Sequence, residues 1–199
     1  MKSFFATIGA VCLVGTFFLA TRLITINYLT DPSAVFDTFK LVDTNWLYSD
    51  KVGAPAASNV ERARFAIGGP LALSAKEVVY FVSVTDEDGA ALQANCDYKV
   101  SGREIESRWW SITVYDSETQ HYIPNALNRS SWNSASIPRS ASGEWVIDVS
   151  PHQQDTTWLP THQNSEKPIE LMLRIYNPSD ATRALLPNID LPRVEKVSC

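Results

Sequence analysis

Trp109-Trp110-Ser111-Ile112-Thr113-Val114-Tyr115-Asp116 is the stretch that decides the fold class. Side chains along a strand alternate between its two faces, so Trp110, Ile112 and Val114 point one way and Ser111, Thr113 and Tyr115 the other. The first set makes a core face. The second suits a wetter surface or the floor of a groove. Aromatic and β-branched residues fit a pleated, half-buried surface, and the stretch reads as a central strand of an antiparallel β-sandwich.

Other stretches repeat the period of two. Trp145, Ile147 and Val149 recur at every second position, as do Ile169, Leu171, Leu173 and Ile175 opposite Glu170, Met172 and Arg174. Val78-Val79-Tyr80-Phe81-Val82 is apolar on both faces, which suits a strand covered on both sides. Asp86-Glu87-Asp88-Gly89 is a turn, after which Leu92 to Val100 is expected to return as the second arm of a hairpin, with Cys96, Tyr98 and Val100 on one face. Asn45 to Tyr48 reads as a short edge strand and Leu191 to Ser198 as a last strand. Asn128 to Gly143, rich in Ser and Asn, is a loop flanking a short strand. About eight short strands with long polar connections and no internal repeat give a jelly-roll-like double sheet.

Helical signals are few. Ser58 stands three residues before Glu61, the spacing of a capping box, and the helix it opens stops at Gly68-Gly69-Pro70. Its small apolar face, Ala63, Ala66 and Ile67, is expected to lie on the sandwich. Asp31-Pro32-Ser33 can cap a second short helix with Ala34, Val35, Phe36 and Phe39 as its apolar side. Between the two, Lys51 to Ala57 is a loop.

From Phe4 to Ala20 the chain carries no charge, and after Arg22 apolar character resumes to Tyr28. The run fits a cleaved signal peptide or a retained transmembrane helix. Cleavage needs small residues at both −3 and −1, and Phe18-Leu19-Ala20 supplies only the second, so retention is favoured. A helix from Phe4 to Leu29 is long enough to cross a bilayer, with Arg22 snorkelling to the headgroups. The short stub bearing Lys2 puts the N-terminus on the cytoplasmic side. The expected organisation is a membrane-spanning segment over 1–30, a linker over 31–58 and the sandwich over 59–199.

The whole chain has 11% aromatic and 20% charged residues, which reads as a packed domain after the apolar run rather than a disordered one. Of the 17 basic residues only Lys2 and Arg22 precede Asp31, so the remainder holds 15 basic against 22 acidic residues, a net charge of −7. That balance argues against nucleic acid as a partner.

Taken in order, the motifs resemble those of a known family. Cys96-Asp97-Tyr98-Lys99-Val100-Ser101-Gly102, Arg108 through Asp116, Trp158-Leu159-Pro160-Thr161, Leu173-Arg174-Ile175-Tyr176-Asn177-Pro178 and the terminal Cys199 make the chain similar to a short, membrane-anchored member of the bacterial domain-of-unknown-function 1214 family. The resemblance runs from about Trp46 to the end. It implies a jelly-roll fold and a bacterial envelope setting. It also implies a companion, because such domains are often fused to, or encoded beside, a domain of the 1254 family, which these 199 residues do not contain. The family brings no catalytic residues to carry over.

Chemistry-bearing groups are sparse. His121, His152 and His162 show no metal-ligand spacing, there is no GxSxG elbow for a serine nucleophile, and no phosphate loop or dinucleotide fingerprint occurs. No cofactor is expected. Asn128-Arg129-Ser130 has the form of a glycosylation acceptor, read as chance in a bacterial chain. The set that stands out is Trp158, Arg174 and Tyr176: an Arg fork beside aromatics can hold a carboxylate or a sugar, or it can stack on a ring and pair with a neighbouring acid.

Cys12 falls inside the apolar run. Cys96 and Cys199 are therefore the one pair in an exported domain, and a pair in an oxidising compartment is expected to be bridged. Two readings of function follow. The leading one is a non-catalytic, periplasm-facing module at the bacterial inner membrane that works through a protein partner of the companion type. The rival is a hydrolase or a small-ligand or glycan binder with a site between strands 109–116 and 171–176.

Overall fold

The computed structural model describes residues 2–31, 38–43, 45–68, 72–155, 157–162 and 165–199. In chain order the elements are α1 (Lys2–Thr30), β1 (Lys40–Val42), β2 (Trp46–Tyr48), α2 (Asn59–Gly68), β3 (Val78–Ser83), β4 (Asp97–Gly102) and β5 (Ser107–Asp116). There follow β6 (Ser131–Asn133), β7 (Trp145–Ser150), β8 (Trp158–Pro160), β9 (Ile169–Pro178), α3 (Asp180–Leu185) and β10 (Arg193–Ser198). The strands form a six-stranded sheet in the order β1-β2-β3-β9-β5-β6 and a four-stranded sheet in the order β10-β4-β7-β8.

The two sheets share one core, and alternation in the sequence explains which side chains enter it. Phe81, Trp110, Ile112, Val114, Leu171, Leu173 and Ile175 come from the first sheet, and Val100, Trp145, Ile147, Val149, Leu159 and Val194 from the second; all are buried. Burying a side chain of this size is worth ~1.5–3 kcal/mol relative to leaving it exposed. Trp46 adds a polar tie: its indole N–H donates to the carbonyl of Pro192 at 2.6 Å, joining β2 to the segment that enters β10. Gly102 is required where β4 passes the Trp145 ring, because an added Cβ would stand 2.7 Å from it.

Several expectations change. Leu92–Val100 does not pair with β3 as a hairpin arm. The turn closes only one bridge, Thr85 to Ala91, and the chain then crosses to the other sheet, where β4 lies between β10 and β7. The Leu92 N–H still closes the turn by donating to Val84, and beyond it the Ala94 N–H donates to Lys167. β3 pairs instead with β9 over Val78–Ser83. Strand β2 is not an edge, since β1 covers its free side. The four-stranded sheet is mixed rather than purely antiparallel: β8 runs parallel to β7, with Asp148 opposite Trp158. So short a strand needs a return of only ~10 Å at 3.3 Å per residue, which the loop after Ser150 can span.

The capping box forms as expected, with the Ser58 N–H donating to Glu61 Oε2 at 2.6 Å and the Glu61 N–H to Ser58 Oγ at 3.2 Å. The helix it opens does not lie on the sandwich by its small apolar face. Ala66 and Ile67 are exposed, and α2 packs instead against the end of α1, where Arg64 covers the Tyr28 ring. Tyr28 offers a ring to the Arg64 guanidinium, a contact that draws this side of α2 to α1. Short helix α3 was not expected; Ser179 caps it, its hydroxyl accepting from the Thr182 N–H. The short helix expected after Asp31, with Ala34, Val35, Phe36 and Phe39 as its apolar side, falls outside the described residues apart from Asp31 and Phe39. Helix α2 ends at Gly68, the first residue of the expected stop, and Gly69 and Pro70 are outside the described residues.

Helix α1 contains a 22-residue stretch, Gly9–Thr30, long and apolar enough to cross a membrane. None of that stretch is buried within the protein.

Candidate functional site

Strands β5 and β9 are hydrogen-bonded neighbours along their whole length, from Ser107 opposite Pro178 to Asp116 opposite Ile169. The region between strands 109–116 and 171–176 is therefore their shared outer face. Register builds it: Trp109 pairs with Tyr176, Ser111 with Arg174, Thr113 with Met172 and Tyr115 with Glu170. β3 adds Tyr80 beside Arg174.

Arg174 organises this face. Its two terminal nitrogens donate to Thr113 Oγ1 at 3.2 Å and to Tyr115 Oη at 2.8 Å, and the guanidinium lies 5.4 Å from the Tyr115 ring centroid. Tyr122 stacks on Tyr115 with ring centroids 5.1 Å apart. Burial pushes the Tyr115 phenol up to about 12, Tyr122 adding to the rise and Arg174 opposing it. Further along, Glu170 is 4% exposed and accepts a hydrogen bond from Gln120 Nε2 at 3.1 Å. Burial raises the Glu170 carboxyl above its ordinary range, against the opposing pull of Gln120, Arg174 and Ser117.

Ser111, Thr113 and Tyr115 are thus buried rather than wet. Long neighbours from β9 and from the loop after β5 roof them. The seam from Gln120 through Glu170, Arg174 and Tyr115 to Tyr122 is largely satisfied within the protein: Arg174 lies over the Tyr115 ring, and its hydrogen bonds go to the hydroxyls of Thr113 and Tyr115. Trp109 and Tyr176 meet edge to face at 4.9 Å beside it and remain half-buried.

Trp158 is not brought to Arg174. It sits in β8 of the other sheet, opposite in facing to core residue Leu159, and its indole N–H donates to the Ser150 carbonyl at 2.8 Å. Sequence reasoning could not see this, because which sheet a three-residue strand joins is set by partners remote in the chain. It also missed Gln120 and Tyr122, which reach the seam only because the loop after β5 folds back to bridge Tyr115.

The three histidines are exposed and belong to different loops. Among the described residues no group of three His, Cys, Asp or Glu side chains could hold a metal ion. A cleft of about 470 Å³ lies between the 51–57 loop and α2, lined by Lys51, Pro55, Arg62 and Phe65. Another, of about 330 Å³, is lined by Tyr48, Asp50, Val78 and Arg183.

The seam gives a pH prediction. The folded-state pKa of Glu170 is raised above 4.5, so its contribution to stability is complete below that value and is lost as pH rises through the folded value. Glu170→Gln keeps a neutral group beside Gln120 and should flatten that part of the profile. Urea denaturation at a series of pH values checks it, and identical pH dependence in the two proteins would contradict the assignment.

The fold and the seam define a class: a two-sheet β-sandwich with an engaged polar outer face, preceded by a long apolar helix. Within that class, the chain belongs to the family described as protein of unknown function (DUF1214), whose match covers residues 77–180. Among solved structures it is similar to the VPA0106 protein from Vibrio parahaemolyticus, with 25% identity and a TM-score of 0.58, over 71% of this chain and 36% of that one. It is also similar to an uncharacterized protein from Burkholderia cenocepacia, with 12% identity and a TM-score of 0.46, over 89% of this chain and 42% of that one. The match therefore spans about a third of the Vibrio protein and under half of the Burkholderia one. No curated protein matches the chain.

Proposed function

We propose that the chain is an envelope module held in the bacterial inner membrane by α1, with its sandwich in the periplasm, and that it acts through a protein partner carrying a domain of the 1254 type. The observation that carries the partner reading is coverage. The match covers 36% of the Vibrio relative, so in that protein the module is built alongside other structure, which supports reading this module as one that works against a further domain.

Two features support the location. Cys96 and Cys199 are bridged, and such bridges persist in oxidising compartments such as the periplasm. Helix α1 exposes its apolar side chains on every side, which water penalises and a bilayer does not.

Purification from mild-detergent-solubilised membranes at native expression should recover a second protein in fixed proportion. Recovery of the chain alone under those conditions would overturn the partner reading.

A further inference from the structure

Helix α2 meets α1 near its C-terminal end. The Arg64 guanidinium lies 4.8 Å from the Tyr28 ring centroid and donates to the Tyr28 carbonyl at 3.2 Å. The apolar stretch of α1 is 22 residues, or about 33 Å at 1.5 Å per residue, against a hydrocarbon core of about 30 Å. With α1 across a bilayer, Tyr28 falls at the border between acyl chains and headgroups. The Arg64 contact then holds the middle of α2 at the same depth.

The two faces of α2 differ. At about 100° per residue, Val60, Arg64 and Ile67 share one face, and Arg62, Phe65 and Ala66 the opposite one. The second face is engaged within the domain at two of these positions, although Ala66 stays exposed: Phe65 meets Phe39 edge to face at 6.4 Å, and Arg62 donates to the carbonyls of Pro55 and Ala57. The first is turned toward α1, yet it leaves Val60 37% and Ile67 54% exposed. Exposed apolar side chains beside a cation and an interfacial aromatic are the composition of a helix that lies in a membrane interface.

We propose that α2 is a second membrane contact: it lies in the interfacial layer of the bilayer that α1 crosses, with Val60 and Ile67 in the acyl boundary and Arg64 beside Tyr28 at headgroup level. The proposal rests on the reading of α1 as a membrane span. It makes the occupant of this face the lipid surface itself. It also fixes the sandwich by two points instead of one, so that the module cannot swivel freely about α1.

The test uses the full chain in nanodiscs of phosphatidylcholine and phosphatidylglycerol. Cys12→Ser leaves no free thiol, and Phe17→Cys, Ile67→Cys or Leu127→Cys then adds one for an environment-sensitive fluorophore. Leu127, 49% exposed, precedes β6 at the edge of the sheet away from β1. Labels at 17 and 67 should be quenched severalfold more by nitroxide-bearing lipid than the label at 127, which should answer to aqueous iodide. Lipid quenching at 17 with water-like behaviour at 67 would overturn the placement of α2 while leaving α1 in the membrane. Water-like behaviour at both positions would overturn both.

Discussion

Replacing Cys199 by Ser will lower the stability of the sandwich by about 2–5 kcal/mol. The bridge joins residues 103 apart in sequence, with their Cα atoms 4.1 Å from each other. In the chain-entropy account, a cross-link over a loop of about 100 residues removes ~4.7 kcal/mol of freedom from the unfolded chain, and measured effects often fall short of that. The native side contributes as well. The bridge pins the end of β10 to the start of β4, where the Asp97 carboxylate accepts from the hydroxyls of Ser150 and Ser198. A chain end otherwise frays, and β10 buries only Val194 within the strand. All six Trp residues lie beyond α1, so urea denaturation of the detergent-solubilised chain followed by Trp fluorescence reads the sandwich alone. An unchanged midpoint would show that the bridge contributes nothing to the fold.

Trp110→Ala will cost about 3–5 kcal/mol, the range for removing a large aromatic from a packed core. Trp110 is fully buried, its ring centroid is 4.9 Å from that of Trp145, and its indole N–H donates to Glu104 Oε1 at 3.1 Å. Truncation leaves a cavity between the two sheets and strips Trp145 of its ring contact. Its neighbour Trp109 lies on the outer face and is half-buried against Tyr176, so Trp109→Ala should cost distinctly less. The comparison of the two midpoints tests strand register, because a slip by one residue would exchange their roles. A larger loss at Trp109 than at Trp110 would contradict the assignment.

What could be read in the sequence follows from what each signal encodes. Alternation told which side chains of β5, β7 and β9 face the core, because one face of each strand must be apolar whatever its neighbours are. The capping box at Ser58 and Glu61 is complete within four residues, so it needed no tertiary information. The Cys96–Cys199 bridge was legible from counting thiols outside the apolar run. Pairing was not. β3 lies beside β9 rather than β4, and nothing in Val78–Ser83 records a partner some ninety residues away. The three-residue strands β1 and β8 carry too short a pattern to separate from loop. For the outer face, the polarity of Ser111 and Thr113 left a wetter surface or the floor of a groove open; they are buried, with Arg174 hydrogen-bonded to Thr113 and Tyr115. The same remoteness broke up the proposed ligand set: Arg174 and Tyr176 share a strand, whereas Trp158 belongs to the other sheet.

In the proposed function, α1 is kept and the domain after it folds where disulfides form. Intact-mass measurement of the protein extracted from carbonate-washed membranes of its native host tests both parts at once. The expected mass is that of the 199 residues less the two hydrogens lost in forming one disulfide. A mass lacking the first 20 to 30 residues, or a full-length mass with all three thiols reduced, would contradict it.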